Sequence, residues 1–162
     1  VAVVWSVTSS LWIYPHSLSY FNELVGGPRR GYFHLDYSNI DWGQDLLYLK
    51  RWLEDHPEAK PLGLAYSVER FVNPQIVGID CTSPPAGPEY EGRDVPKTPE
   101  KLGPQPGWYA VSVNRLIDGQ RQYAYFQHFE PTARVGYSIL VYHITPAEAN
   151  RARSLLGLPP LK

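Results

Sequence analysis

The sequence contains no methionine, one cysteine, and no stretch in which charge of one sign accumulates. A single thiol, Cys81, can close no intrachain disulfide and cannot by itself build a structural zinc site, so the fold must be held by its own core. Fifteen Lys and Arg stand against 16 Asp and Glu, a balance without the basic stripe that a phosphate backbone attracts. Nucleic acid is therefore not an expected partner, and no cofactor is implied. A glycine-rich phosphate loop is lacking too, because Gly26 and Gly27 follow a helical pattern and close a helix instead of opening one. What remains is 162 residues, the size of one ordinary domain that can bury a core of its own. With Val at position 1 and no methionine, the chain is expected to be part of a longer polypeptide.

The first fifteen residues, VAVVWSVTSSLWIYP, carry no charge and are broken only by hydroxyl residues. A full membrane crossing takes about 20 residues, and the basic start and cleavage site of a signal peptide are missing. Two readings fit. Residues 1–14 are the end of a transmembrane or apolar anchoring helix, with Trp5, Trp12 and Tyr14 as interfacial aromatics, or they are a core element of a soluble domain. The remainder, 15–162, reads as a single soluble α/β domain.

Periodicity supplies the rest of the organisation. Leu18, Phe21, Leu24 and Val25 share one face of a short helix that stops at the glycine pair. Trp42, Leu46, Leu49 and Leu53 recur at four, three and four residues, predicting a helix that ends at Pro57, with Lys50, Arg51, Glu54 and Asp55 facing outward. Strand character marks LGLAYSV from Leu62, NPQIVGID from Asn73, WYAVSVNRLI from Trp108 and, most strongly, RVGYSILVYHI from Arg134. YAYFQHFEP fits either a short helix or an extended segment. Residues 82–107 form a long Pro- and Gly-rich loop. Thr145 as cap, Pro146 at the first helical position and Gly157 as the stop frame a final helix. The expected fold is α/β or α+β, a small mixed sheet of about four strands flanked by helices.

One stretch gathers most of the polar chemistry, YSNIDWGQDLL at residues 37–47. Asn39 or Asp41 can cap the helix that follows, Asp41 and Gln44 have capping-box spacing, and Asp45 in the first turn complements the helix dipole. Sharper chemistry is weaker on spacing. Asp36, Asn39, Asp41 and Asp45 offer oxygen ligands for calcium or magnesium but do not match a calcium-binding loop, so no metal site is expected. Asp41 and Asp45 lie one helical turn apart and could flank a glycosidic bond as acid and base. Ser138 lacks the second glycine of a nucleophile elbow, and the five histidines form no metal-binding pair of the HExxH kind.

Five Trp and 12 Tyr are many for one domain. Flat rings with a polar handle suit sugar faces, membrane interfaces and cores alike. Trp42, Tyr66 and Trp108 are candidates for a glycan platform, with Asp41 and Gln44 bonding hydroxyls. The competing reading is structural, with Trp42 on the apolar stripe anchoring its helix against the sheet.

Two blocks carry a family resemblance: YPHSLSYFNELVGGP at 14–28 and LDYSNIDWGQDLLYLKRWL at 35–53. They resemble the segment just after the last membrane helix of large bacterial glycosyltransferases that use polyprenol-phosphate-linked sugars, similar to protein mannosyltransferases and lipid A aminoarabinose transferases. GWYAVSVNRL and ARVGYSILVYHI are similar to later blocks of the same C-terminal region. The resemblance implies an accessory domain of a membrane glycosyltransferase, facing the periplasm or exterior of the bacterial inner membrane. Its implied partner is the membrane-embedded part of the same polypeptide, with a lipid-linked sugar or glycan acceptor as further candidates. Asn39, Asp41, Trp42, Gln44, Asp45, Tyr66 and Trp108 are the candidate sugar, acceptor or interface contacts. The catalytic aspartate of such enzymes belongs to an early exterior loop with no counterpart here, so no catalytic residue is expected in this chain. The alternative is a free-standing carbohydrate-binding or protein-interaction module; a small hydrolase using Asp41 and Asp45 stands third.

Overall fold

The computed structural model describes residues 2–14, 16, 27, 42–66, 72–92 and 98–162. Asp36, Asn39, Asp41 and the helical pattern at Leu18–Val25 lie outside the described residues. The elements run α1 (Ala2–Ile13), α2 (Leu46–Asp55), β1 (Leu62–Ala65), β2 (Cys81–Thr82), β3 (Gly107–Ser112), α3 (Val113–Ile117), β4 (Ala133–Val135), β5 (Ile139–Ile144) and α4 (Pro146–Leu155).

Among the described residues five strands form one mixed sheet in the order β2-β1-β3-β5-β4. β1 runs parallel to both β2 and β3, whereas β3 and β5, and then β5 and β4, are antiparallel. The fold is thus α/β as expected, the fifth strand being the two-residue β2 at one edge. Strand alternation divides the core into two layers. Tyr109 and Val111 of β3 join Leu140, Tyr142 and Ile144 of β5 beneath α3, the turn at 124–128 and α4. Ala110, Val141 and Ile139 face the other way and meet Leu46, Leu49 and Leu53 of α2, together with Leu62 and Leu64 of β1. Both faces of the central strands are therefore covered.

Several elements differ from the periodicity reading, each for a local reason. NPQIVGID is not a strand: Asn73 accepts a hydrogen bond from the Gln75 amide, Pro74 opens a 3-10 turn over Pro74–Val77, and left-handed Gly78 closes it. WYAVSVNRLI pairs only as far as Ser112 and then coils into α3. RVGYSILVYHI is two strands, because Gly136 at φ +58° turns the chain between β4 and β5. YAYFQHFEP resolves into a 3-10 helix at Ala124–His128. α2 begins at Leu46, so Trp42 lies before it and is 59% exposed instead of anchoring the helix on the sheet.

The last helix matches its sequence signals. Thr145 and Glu148 form a capping box, Pro146 occupies the first turn, and Gly157 follows in a left-handed conformation. Hydrogen bonds from the Thr145 hydroxyl and amide hold the Glu148 carboxyl below its ordinary pKa. Its contribution is thus present above the pH where a free glutamate titrates and is lost as pH falls through the lowered value.

Arg153 of α4 is fully buried without a carboxylate partner among the described residues. Its Nε donates to the Pro159 carbonyl at 2.6 Å, Nη1 to Leu102 and Pro104 at 2.5 and 3.3 Å, and Nη2 to Pro99 at 2.9 Å. One guanidinium thus ties α4 to the C-terminal tail and to the end of the long loop. Burial pulls its pKa down from the ordinary guanidinium value. Hydrogen bonds from a charged donor contribute roughly 1.5–3 kcal/mol each, so Arg153→Met is expected to cost about 3 kcal/mol or more in urea unfolding. Arg153→Lys should recover only part, because a single ammonium cannot span carbonyls arranged for a planar fork. A change under about 0.5 kcal/mol, the size of an ordinary surface substitution, would show that the tie is not structural.

Candidate functional site

The described residues concentrate buried polar groups at the carboxyl ends of β1 and β3. Asp45, Ser112, Asn114 and Ser138 are all buried there. β5 runs antiparallel to β3, so its first residue, Ile139, pairs with Ser112 and brings Ser138 to this end, where its carbonyl accepts the Val113 amide at 2.8 Å. α2 starts at the same end and supplies Asp45 from the position just before its first turn.

Asp45 is the centre of this arrangement. Its side chain does not cap α2. The carboxylate reaches instead into the β4–β5 turn, where Oδ2 accepts the Tyr137 amide at 3.0 Å, the Ser138 amide at 3.0 Å and the Ser138 hydroxyl at 2.8 Å. The dipole of α2 favours the carboxylate at that point, while the turn amides give it a second, directional reason to stay. Gly136 makes room: a Cβ built there would overlap the Asp45 carboxylate, and the positive φ is itself disfavoured for other residues. The second oxygen, Oδ1, is buried with no hydrogen-bond partner among the described residues and lies 3.5 Å from Nδ1 of His16.

His16 is enclosed by aromatic rings. Tyr48 of α2 lies 4.7 Å away, centroid to centroid, and Tyr137 meets the imidazole edge-on at 5.2 Å. The His16 amide donates to the Ile13 carbonyl at 2.7 Å, so the same residue finishes α1. A serine, a histidine and an aspartate are therefore together, yet not as a nucleophile relay. The Ser138 hydroxyl is buried and donates its hydrogen bond to Asp45, whereas relay chemistry needs the imidazole between the other two.

The sequence candidates separate in space. Asp45 is buried at the carboxyl end. Gln44 accepts the Trp42 amide at 2.8 Å in the turn leading to it. Tyr66 is buried in the α2-side core and presents no open ring face. Trp108 is half-buried near the opposite end of the sheet, in a strip of four rings. Its ring stacks on His143 directly across the strand pair at 4.3 Å and approaches Trp52 at 6.1 Å, and Trp52 in turn stacks on His56 at 4.1 Å. Both stacked pairs are neighbours by element geometry, one directly across β3 and β5 and one four residues apart at the end of α2. Asn39 and Asp41 lie outside the described residues.

Sequence reasoning missed His16, Ser138 and Gly136 as parts of one site. His16 and Asp45 are 29 positions apart (45 − 16) and Asp45 and Ser138 are 93 apart, so no local pattern joins them. The one available signal was Gly136 between two runs of strand character. A concavity of about 360 Å³ lies between α2 and the starts of β1 and β2, where Lys50 and Lys60 are balanced by Glu54 and Asp80. No group of three or more His, Cys, Asp or Glu suited to a metal ion occurs among the described residues.

Asp45→Ala would strand the turn donors and is expected to cost roughly 3 kcal/mol or more. Ser138→Ala, which removes one donor and leaves the amides engaged, should cost about 1 kcal/mol. Gly136→Ala should lose on the order of 2–4 kcal/mol from overlap and backbone strain. Thermal and urea unfolding of the three variants checks this ranking, and a mild Gly136→Ala would contradict the close approach.

No family model, no curated protein and no solved structure matches the chain.

Proposed function

We propose that this chain is an accessory, exterior-facing domain of a membrane-bound glycosyltransferase that uses a polyprenol-phosphate-linked sugar, anchored to the lipid side through α1. The character of α1 carries the reading. Val3, Val4, Trp5, Val7, Leu11, Trp12 and Tyr14 are exposed, while Ser9 and Ile13 are buried. The helix carries neither acidic residues in its first turn nor basic ones in its last, and it is apolar all round. A helix of that kind belongs in a core or in lipid. Two of its four hydroxyls bond within the helix, Thr8 donating to the Val4 carbonyl and Ser10 to the Ser6 carbonyl, each at 2.8 Å. Apolar surroundings leave those two hydroxyls paired. No helix among the described residues is long and apolar enough to cross a membrane, and α1 suits the end of a transmembrane helix and an apolar anchor alike. The resemblance of residues 14–53 to the segment after the last membrane helix supports the same placement, with the implied job of packing on the membrane-embedded part or helping to receive the acceptor. A site built around a buried carboxylate locked into a turn fits an accessory role better than independent glycosyl transfer.

Mixed with phospholipid vesicles, the full chain should float with the lipid, and the chain lacking residues 1–14 should stay in the aqueous layer with its near-ultraviolet circular dichroism unchanged. Retention of the full chain in the aqueous layer, or collapse of the fold on deletion, would reject the anchor. Alone, the chain should release no sugar from a polyprenol-phosphate donor.

A further inference from the structure

We propose that His16 and Asp45 form an oriented imidazole–carboxylate pair. Asp45 holds the proton on Nδ1, and Nε2 is left as the acceptor for the hydroxyl of a saccharide at the carboxyl ends of β1 and β3. The saccharide part rests on the function proposed above; the oriented pair does not.

The geometry carries the pair by hydrogen-bond accounting. Oδ2 of Asp45 is engaged by three donors from the β4–β5 turn, which fixes the plane of the carboxylate. Oδ1 is the oxygen left over, fully buried, and the nitrogen facing it at 3.5 Å is Nδ1 of His16. A neutral imidazole has one N–H and one bare nitrogen. With an acceptor fixed beside Nδ1, the hydrogen belongs on Nδ1 and the lone pair on Nε2. Tyr48 and Tyr137 close in on the ring, and among the described residues they and Asp45 are the titratable groups packed against it. Nε2 has no hydrogen-bond partner among those residues, and the His16 side chain keeps 19% of its surface open.

Position adds a second argument. From β1 the chain moves out to β2 on one side and then returns to β3 on the other, so the strand order reverses about β1. In open α/β sheets the crevice outside the carboxyl ends of the strands at such a reversal is where ligands bind. The end of the sheet that carries His16 is this one. A neutral acceptor in an aromatic surround suits a sugar hydroxyl, with the tyrosine rings offering apolar contact to the sugar's C–H face.

The test uses the full chain labelled with ¹⁵N-histidine in a non-glycosidic detergent, with long-range ¹H–¹⁵N spectra at neutral pH. His16 should be the Nδ1–H tautomer. Asp45→Asn should invert it: the Asn carbonyl must still accept the turn amides, its NH₂ then faces Nδ1, and the ring proton moves to Nε2. Titration with a methyl glycoside should shift the His16 Nε2 resonance saturably, leave His56 and His143 unmoved, and have no effect in Asp45→Asn. An Nε2–H tautomer in the wild type, or a tautomer indifferent to Asp45→Asn, overturns the pair. Absence of a glycoside response, or an equal response at all histidines, overturns the ligand. Should Asp45→Asn fail to fold, the wild-type tautomer and the glycoside response decide, with His16→Phe as the blank. Flotation on vesicles reads α1 separately, so a wrong tautomer leaves the membrane anchor standing and a failed flotation leaves the pair standing.

Discussion

The buried carboxylate of Asp45 is the constraint that the carboxyl end of this molecule is arranged around. Burying such a group without partners would cost several kcal/mol, and the chain meets that requirement with donors from a turn 93 positions away. The consequences spread outward. The turn must be tight enough to aim two consecutive amides at one oxygen, which brings a left-handed glycine to position 136. The helix must begin where its dipole supports the same carboxylate, which sets the start of α2 against the sheet. With α2 so placed, Leu46, Leu49 and Leu53 reach the core beneath it. Local electrostatics and long-range packing are satisfied by one side chain.

A different solution operates at the other side of the sheet. There the buried charge is a cation, and among the described residues Arg153 donates to main-chain carbonyls from the loop and the tail, with the Glu100 carboxylate acting on it from a distance. Carbonyl dipoles make the hydrogen bonds that solvate the guanidinium, in place of a directly paired carboxylate among the described residues. Two irregular segments, the end of the long loop and the C-terminal tail, owe their course to one residue of α4.

How far the sequence revealed this depends on the range of the interaction. Elements specified by neighbours were legible: α4 from Thr145, Pro146, Glu148 and Gly157, and the stripe of α2 from its leucines. β5 was legible because its alternation is buried on both faces. Elements decided by one local competitor were misread. Asn73 and Pro74 turn an apolar run into a 3-10 turn, and Gly136 divides one strand signal into two. Asp45 was read as dipole compensation in the first turn; it stands one position before that turn, and its hydrogen-bond partners come from the far end of the chain. Trp42 fitted a helical period that the helix does not extend to. His16 carried no local signal at all; only the fold brings its ring between Tyr48 and Tyr137.

The strand lengths have a bearing on how the molecule meets its neighbours. Among the described residues the sheet ends in β2 on one side, two residues long, and in β4 on the other, three residues long. Edges so short expose too few unpaired amides and carbonyls to template another strand, which is one way natural sheets avoid joining edge to edge. Association between copies is thereby steered away from amyloid-like pairing. The open apolar surface lies elsewhere, along α1, where Val3, Val4, Trp5, Leu11 and Trp12 are exposed.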